Sequence, residues 1–414
     1  MPAKAALDRS STLRPFLPRL TIRWISEQPD VRVQSLPGTV VFVDISGFTK
    51  MSERLARAGR VGAEEVTDVV GYVFRRLLGT AYSYGGGLIK FGGDALLLWF
   101  SGDEHPSDGA AAAIGMRRAL ADMGQIKTSA GNVRLRMSVG VHSGLFHFFL
   151  VGDGHRELVL TGPAASRVVQ MEGTADAGEI VVSPETAAAL PRELLSRPKG
   201  EGMLLRRSLR LADGGDPEAF QLNPQSVPAE VDLARCVPLA LRDLITSGQD
   251  EPEHRRVTIG FIHYDGMDAM LVREQPQDVA AALSDLMTAA QRACEANEVT
   301  FLATDIDHDG GKIILVAGAP TASGSDEARM LAALREVQAA GLRIPLRIGV
   351  NTGPVFAGDI GPSYRRTYTV MGDAVNLAAR VMAKAEPGQI LASQAVLDAC
   401  SVTFETTALE PFMV

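Results

Sequence analysis

The chain has little of what would place it outside the cell or in a membrane. It carries three cysteines in 414 residues (Cys236, Cys294 and Cys400), an odd and widely spaced set that excludes a disulfide framework and implies reduced thiols. No apolar run reaches membrane-spanning length, and the N-terminus "MPAKAALDRSSTLRPFLPRL" has no apolar stretch typical of a secretory signal. Both absences point to a cytoplasmic protein with no membrane contact. Basic residues are in deficit: 41 Lys and Arg against 49 Asp and Glu give a net charge of −8, which argues against a nucleic-acid partner. The seven His lack ligand spacing, which disfavours zinc, and "DIDHDGG" lacks the closing Glu of a calcium loop.

The composition that remains, 46% apolar and 22% charged, is that of a globular protein, and the length implies two or three domains. The sequence then repeats itself. "GVHSGLFHFFLVGD" from Gly140 is echoed by "GVNTGPVFAGDIG" from Gly349, and "LVLTGPAASRVVQM" from Leu158 by "YTVMGDAVNLAARVM" from Tyr368. Upstream, "TVVFVDISGF" is matched more loosely by "VTIGFIHYDGM" from Val257. The period is a whole domain, so the chain reads as two copies, residues 36–215 and 253–414. Residues 216–252, rich in Pro, Gly and acids at their start, read as a linker. Residues 1–35 read as an amphipathic segment packing on the domain pair. Within each copy the order is strand, helix, strand, strand, helix, strand, which predicts an α+β fold of ferredoxin-like topology.

"TVVFVDISGFT" ends a buried apolar strand on Asp44, where a carboxylate is costly unless paired. One reading is a cap for the next helix. The other joins it to Asp94, which the hairpin "IKFGGDALLLWF" places at a glycine-rich turn. Two carboxylates at strand ends suit a hard cation such as Mg²⁺, and amides from Ile45 to Thr49 at a helix start suit a polyphosphate.

"FVDISGFT", "IKFGGDALL" and "YTVMGDAVNLAAR" together resemble the signature of class III nucleotidyl cyclases, and the tandem arrangement is similar to the soluble, bicarbonate-responsive adenylyl cyclases. The resemblance implies two cyclase homology domains paired head to tail as an intramolecular pseudo-heterodimer, a monomer with an internal pseudo-twofold. It implies that Asp44, Asp94 and Ile45 hold two Mg²⁺ ions, with Mn²⁺ able to substitute. Gly47, Phe48 and Thr49 would meet the triphosphate of ATP, with Arg136 standing in for the family's basic residue there, and Thr369 would meet the adenine. Asn376 would orient the ribose and Arg380 would stabilise the transition state. Asn376 and Arg380, four apart, share a helix face.

The second site reads as degenerate: His263 stands at the place of Asp44, no clear carboxylate answers Asp94, and Ser166 and Gln170 replace Asn376 and Arg380. Lys90 matches the Lys that binds bicarbonate in that family, and Arg167 lies two positions before the place of its partner Arg, implying a small-anion effector. Two departures weaken the nucleotide site. Ala303 stands where the family places an adenine-selecting Lys, for which Asp305 or Lys312 is a candidate substitute, and Ser138 stands where it places a basic residue. The leading expectation is an adenylate cyclase; the alternatives are a non-catalytic ATP-sensing module and a guanylate cyclase. Relatives in the family often continue into further domains.

Overall fold

A computed structural model describes residues 11–56, 59–206, 231–248 and 251–410. Each copy is built round one long strand that the sequence marks by unbroken burial. In copy one β1 (Val33–Ser46) carries Val40, Val41 and Val43, all fully buried, and is followed by α1 (Phe48–Ala56) and α2 (Gly59–Ser83). The hairpin β2 (Gly87–Gly92) and β3 (Ala95–Phe100), α3 (His105–Asp122) and β4 (Arg136–Val151) come next. The copy closes with β5 (Glu157–Thr161), α4 (Pro163–Thr174), β6 (Ile180–Val182), β7 (Leu195–Lys199) and β8 (Gly202–Leu205).

Among the described residues copy two repeats the plan without the last hairpin: β9 (Glu253–Asp265), α5 (Met267–Arg273), α6 (Pro276–Ala296), β10 (Thr300–Asp307) and β11 (Gly310–Ala317). It continues with α7 (Asp326–Gln338), β12 (Leu346–Ile360), β13 (Thr367–Met371), α8 (Asp373–Met382), β14 (Ile390–Ala392) and α9 (Gln394–Ala399).

The first sheet runs β2-β3-β1-β4-β6-β8-β7 with β5 paired to β4; the second runs β10-β11-β9-β12-β13 with β14 paired to β12. In each, the first strand of the copy lies between the hairpin and the long later strand, as a βαββαβ unit requires. The α+β, ferredoxin-like expectation is met.

The repeated glycine has a physical cause. A Cβ on Gly140 would lie 2.2 Å from the backbone N of Glu172 in α4, and one on Gly349 would lie 2.2 Å from that of Met382 in α8. In both copies the central strand touches helix backbone there, and only glycine fits.

The copies share their cores. Phe356, Ile360 and Met371 of copy two join the cluster under α1 and α2, while Phe149, Val151 and Val159 of copy one join the cluster under α6. Residues 216–230 lie outside the described residues, but Leu233–Cys236 and Leu239–Ser247 are helical and bury Leu233, Cys236, Leu241 and Ile245 on copy two, beside Leu13 and Leu17. The helix Arg19–Glu27 packs on copy one through Leu20 and Trp24. No helix among the described residues is long and apolar enough to cross a membrane.

Candidate functional site

Asp44 is two residues from the end of β1, opposite Ala95 on one side and Ser138 on the other. Ile45 N–H donates to the carbonyl of Asp94 at 3.2 Å, so the strand end and the hairpin turn carrying the second carboxylate are tied together. Asp44 is half-buried and its carboxylate has no ion pair or hydrogen bond among the described residues; burial pushes it above the usual range. A carboxylate so placed gains from a cation. Gly47, at φ +113°, turns the chain into α1, and Phe48 anchors that helix by burying its ring edge-on to Phe74. The side chain of Thr49 lies outside the described residues.

Arg136, at the start of β4, is exposed and opposite Ser46. Ser138, on the same face, is buried and donates to Glu172 Oε1 at 2.9 Å. Glu172 is a group that sequence reasoning missed. Burial, with a smaller contribution from the charge of Asp44, raises its carboxyl, so it is a second acid at the strand end. Its signal was legible as an acid on the inward face of a helix, four residues after Val168. Among the described residues no three His, Cys, Asp or Glu side chains converge as a ready metal cluster.

Copy two contributes α8, whose Asn376 and Arg380 are exposed on one face; Arg380 pairs with Asp373 at 3.2 Å. Thr369 is buried in β13, opposite Gly358. Helices α1 and α2 of copy one and α8 of copy two all lie against β12, so the two halves of the expected constellation share one platform.

The sheet registers align the copies residue by residue. Asp44, Ser138 and Ala95 correspond to His263, Arg347 and Lys312. Lys90 corresponds to Ala303, and both follow a bulge in their strands. Two cations, Lys312 and Arg347, thus flank His263 at the second strand end. They are neutralised internally: Arg347 contacts Asp265 at 3.0 Å, Lys312 contacts Asp307 at 3.0 Å, and His263 Nε2 lies 3.4 Å from Asp307. Burial opposes ionisation of Asp307, but His263 and Lys312 outweigh it and hold its carboxyl below the usual range. Lys312 is therefore committed and does not replace the missing Lys at Ala303. Asp305 points elsewhere too, its carboxylate against Gly92.

The expected anion pocket is not formed as a free cation pair. Lys90 Nζ bonds Glu157 at 2.7 Å, the carbonyl of Thr304 at 3.1 Å, and the Thr304 hydroxyl. Burial opposes ionisation of Glu157, but Lys90 and His155 hold its carboxyl well below the usual range, so the Lys90 charge is spent internally. Arg167 pairs with Gln170 and Glu201 and does not line the cavity of about 100 Å³ beside Lys90.

The family described as "Adenylate and Guanylate cyclase catalytic domain" matches residues 34–216 and 250–414. The chain belongs to this family. Adenylate cyclase type 10 of Mus musculus is 25% identical over 416 residues, which cover 86% of this chain and 24% of that protein. The chain spans about a quarter of such relatives. Receptor-type guanylate cyclase gcy-20 of Caenorhabditis elegans is 32% identical over 183 residues, 41% of this chain and 16% of that protein. Among solved structures, a class III adenylyl cyclase-like ATP-binding protein from Pseudomonas aeruginosa matches with a TM-score of 0.60 at 15% identity, covering 89% of this chain and 86% of that one; the likeness shows the cyclase fold.

Proposed function

We propose that the chain is a cytoplasmic adenylate cyclase that converts ATP to 3′,5′-cyclic AMP and pyrophosphate at one composite site. One observation carries the reading. The Asp44 carboxylate is half-buried with no ion pair among the described residues, whereas the matching strand end of copy two already holds Lys312 and Arg347. Of these two matching positions, Asp44 is the one that calls for added positive charge.

The residues fit divalent cations of the Mg²⁺ type, which take one or two carboxylates and fill their shell with phosphate oxygens and water. Asp44, Asp94 and the carbonyl of Ile45 would hold two such ions, with Mn²⁺ as a substitute. Bound there, the metal supplies positive charge that favours the 3′-alkoxide and neutralises the triphosphate. The chain's own groups do the rest. Gly47 turns the amides at the start of α1 toward the polyphosphate, and Arg136 adds a cation beside it. Thr369 meets the adenine edge and Asn376 the ribose. Arg380 stabilises the charge on the α-phosphoryl oxygens as the O3′–P bond forms and the bond to pyrophosphate breaks. Its exposed pair with Asp373 is worth at most about 1 kcal/mol and does not hold it back. The spent charge of Lys90 means that bicarbonate should leave turnover unchanged at fixed pH.

A second reading, nucleotide binding without turnover, is favoured by Ala303 and Ser138, and the Pseudomonas protein of like fold is described as ATP-binding. Incubating the chain with Mg²⁺ or Mn²⁺ and either ATP or GTP, with chromatography of the products, separates the readings and fixes the base. The proposal expects cyclic AMP from wild type and none from Asp44→Ala; turnover retained in that variant refutes the metal role.

A further inference from the structure

In the second pocket, the positions that match the metal and polyphosphate sites of the first are filled by the chain itself. Lys312 and Arg347 supply positive charge at the strand end, on either side of His263. The start of α5 matches the start of α1, with Gly266 at φ +86° in the role of Gly47. Its amides are already taken: Gly266 N–H and Asp268 N–H donate to the Asp309 carboxylate at 3.2 and 2.9 Å, and Met267 N–H donates to the Asp309 carbonyl at 3.1 Å. Asp309 reaches this place because the hairpin β10–β11 pairs two residues further out than β2–β3, taking its turn from the level of Asp94 to His308 and Asp309.

Copy one pins this arrangement. Asp309 N–H donates to Ser166 Oγ at 2.7 Å, and the Ser166 hydroxyl donates to Asp268 Oδ1 at 3.0 Å. Thr161 Oγ1 donates to the carbonyl of Gly310 at 3.1 Å. Leu271 of α5 packs so closely on Gly162, at the start of α4, that a Cβ there would lie 2.4 Å from it. Ser166 is consequently 6% exposed, whereas its counterpart Asn376 is exposed and the atoms nearest Gly372 belong to its own copy.

We propose that the second pocket is a permanent latch liganded by the chain itself: the Asp309 carboxylate takes the place of a polyphosphate, and Ser166 and Thr161 fasten it across the two copies. With the polyphosphate position taken, the pocket admits no nucleotide, and the end of the interface that it occupies is closed without ligand. Opening and closing are then confined to the end that holds Asp44 and Arg380, a consequence that rests on the cyclase reading.

Amide hydrogen exchange on the full chain tests the latch. In wild type without ligand, the amides of Gly266, Asp268 and Asp309 should be protected. Ser166→Ala should speed exchange at Asp309 by about tenfold, the worth of one hydrogen bond, and Ser166→Thr, which keeps the hydroxyl, should not. A non-reacting ATP analogue with Mg²⁺ should slow exchange at residues 45–49 and 372–380 and leave 266–268 and 309 unchanged. Unaltered exchange at Asp309 in Ser166→Ala, or slowing of 266–268 by the analogue in wild type, overturns the proposal. If Ser166→Ala does not fold, the wild-type analogue arm decides it. An analogue that protects nothing removes the nucleotide reading, while the ligand-free comparison still judges the latch.

Discussion

Asp44 and His263 occupy the same register in two copies of one fold, and the charges around each have diverged to match. Around Asp44 the cation is left to come from outside; around His263 it is built in by Lys312 and Arg347. The same logic governs Lys90, whose buried pair with Glu157 closes what the sequence suggested was an anion site. Replacing Glu157 with Gln strands that ammonium and should cost about 3–5 kcal/mol, read as a lower urea midpoint at unchanged slope. His142 makes a pH-dependent contribution. Burial holds its imidazole at about 4 against an ordinary 6.5. Below pH 6.5 the unfolded chain takes up a proton that the folded chain refuses, so this contribution is complete above 6.5 and falls as the pH drops toward 4. A His142→Asn variant should lose that slope in denaturation midpoints measured across the same range.

Elements were more legible in the sequence than their partners. The strand ending at Asp44, the hairpin at Asp94 and the helix bearing Asn376 and Arg380 all lie where apolar runs and glycine turns put them, because local pattern and burial agree there. The longer hairpin that delivers Asp309 and the helices at Leu233–Cys236 and Leu239–Ser247 were not legible. Each depends on contacts between segments far apart in the chain. The glycines make the distinction testable. A methyl added at Gly71, inside α2, would meet nothing within 4 Å, so Gly71→Ala should raise stability by about 0.5–1 kcal/mol. Gly349→Ala drives a methyl into the backbone of Met382 and should lower the midpoint, displacing α8 and reducing turnover with it.

At the scale of the molecule, the copies are held as one body by reciprocal cores and by an outer clasp. Buried Arg365 of copy two donates to the carbonyls of Pro15 and Ile89 at 3.3 and 3.2 Å and lies over Phe91, joining the N-terminal segment to the strand that leads toward Asp94. Removing the fully buried Trp24 side chain should therefore cost about 3–5 kcal/mol. Asp44 and Arg380 come from opposite copies, and the central claim is that they serve one reaction. The direct measurement is cyclic AMP formation from ATP with Mg²⁺ by wild type, Asp44→Ala, Arg380→Ala and the double variant. Each single change should reduce turnover by about a hundredfold or more, and the double should lose no more than the worse single, as expected of groups acting as a unit. Losses that multiply in the double variant, or a wild type that makes no cyclic nucleotide, would contradict it.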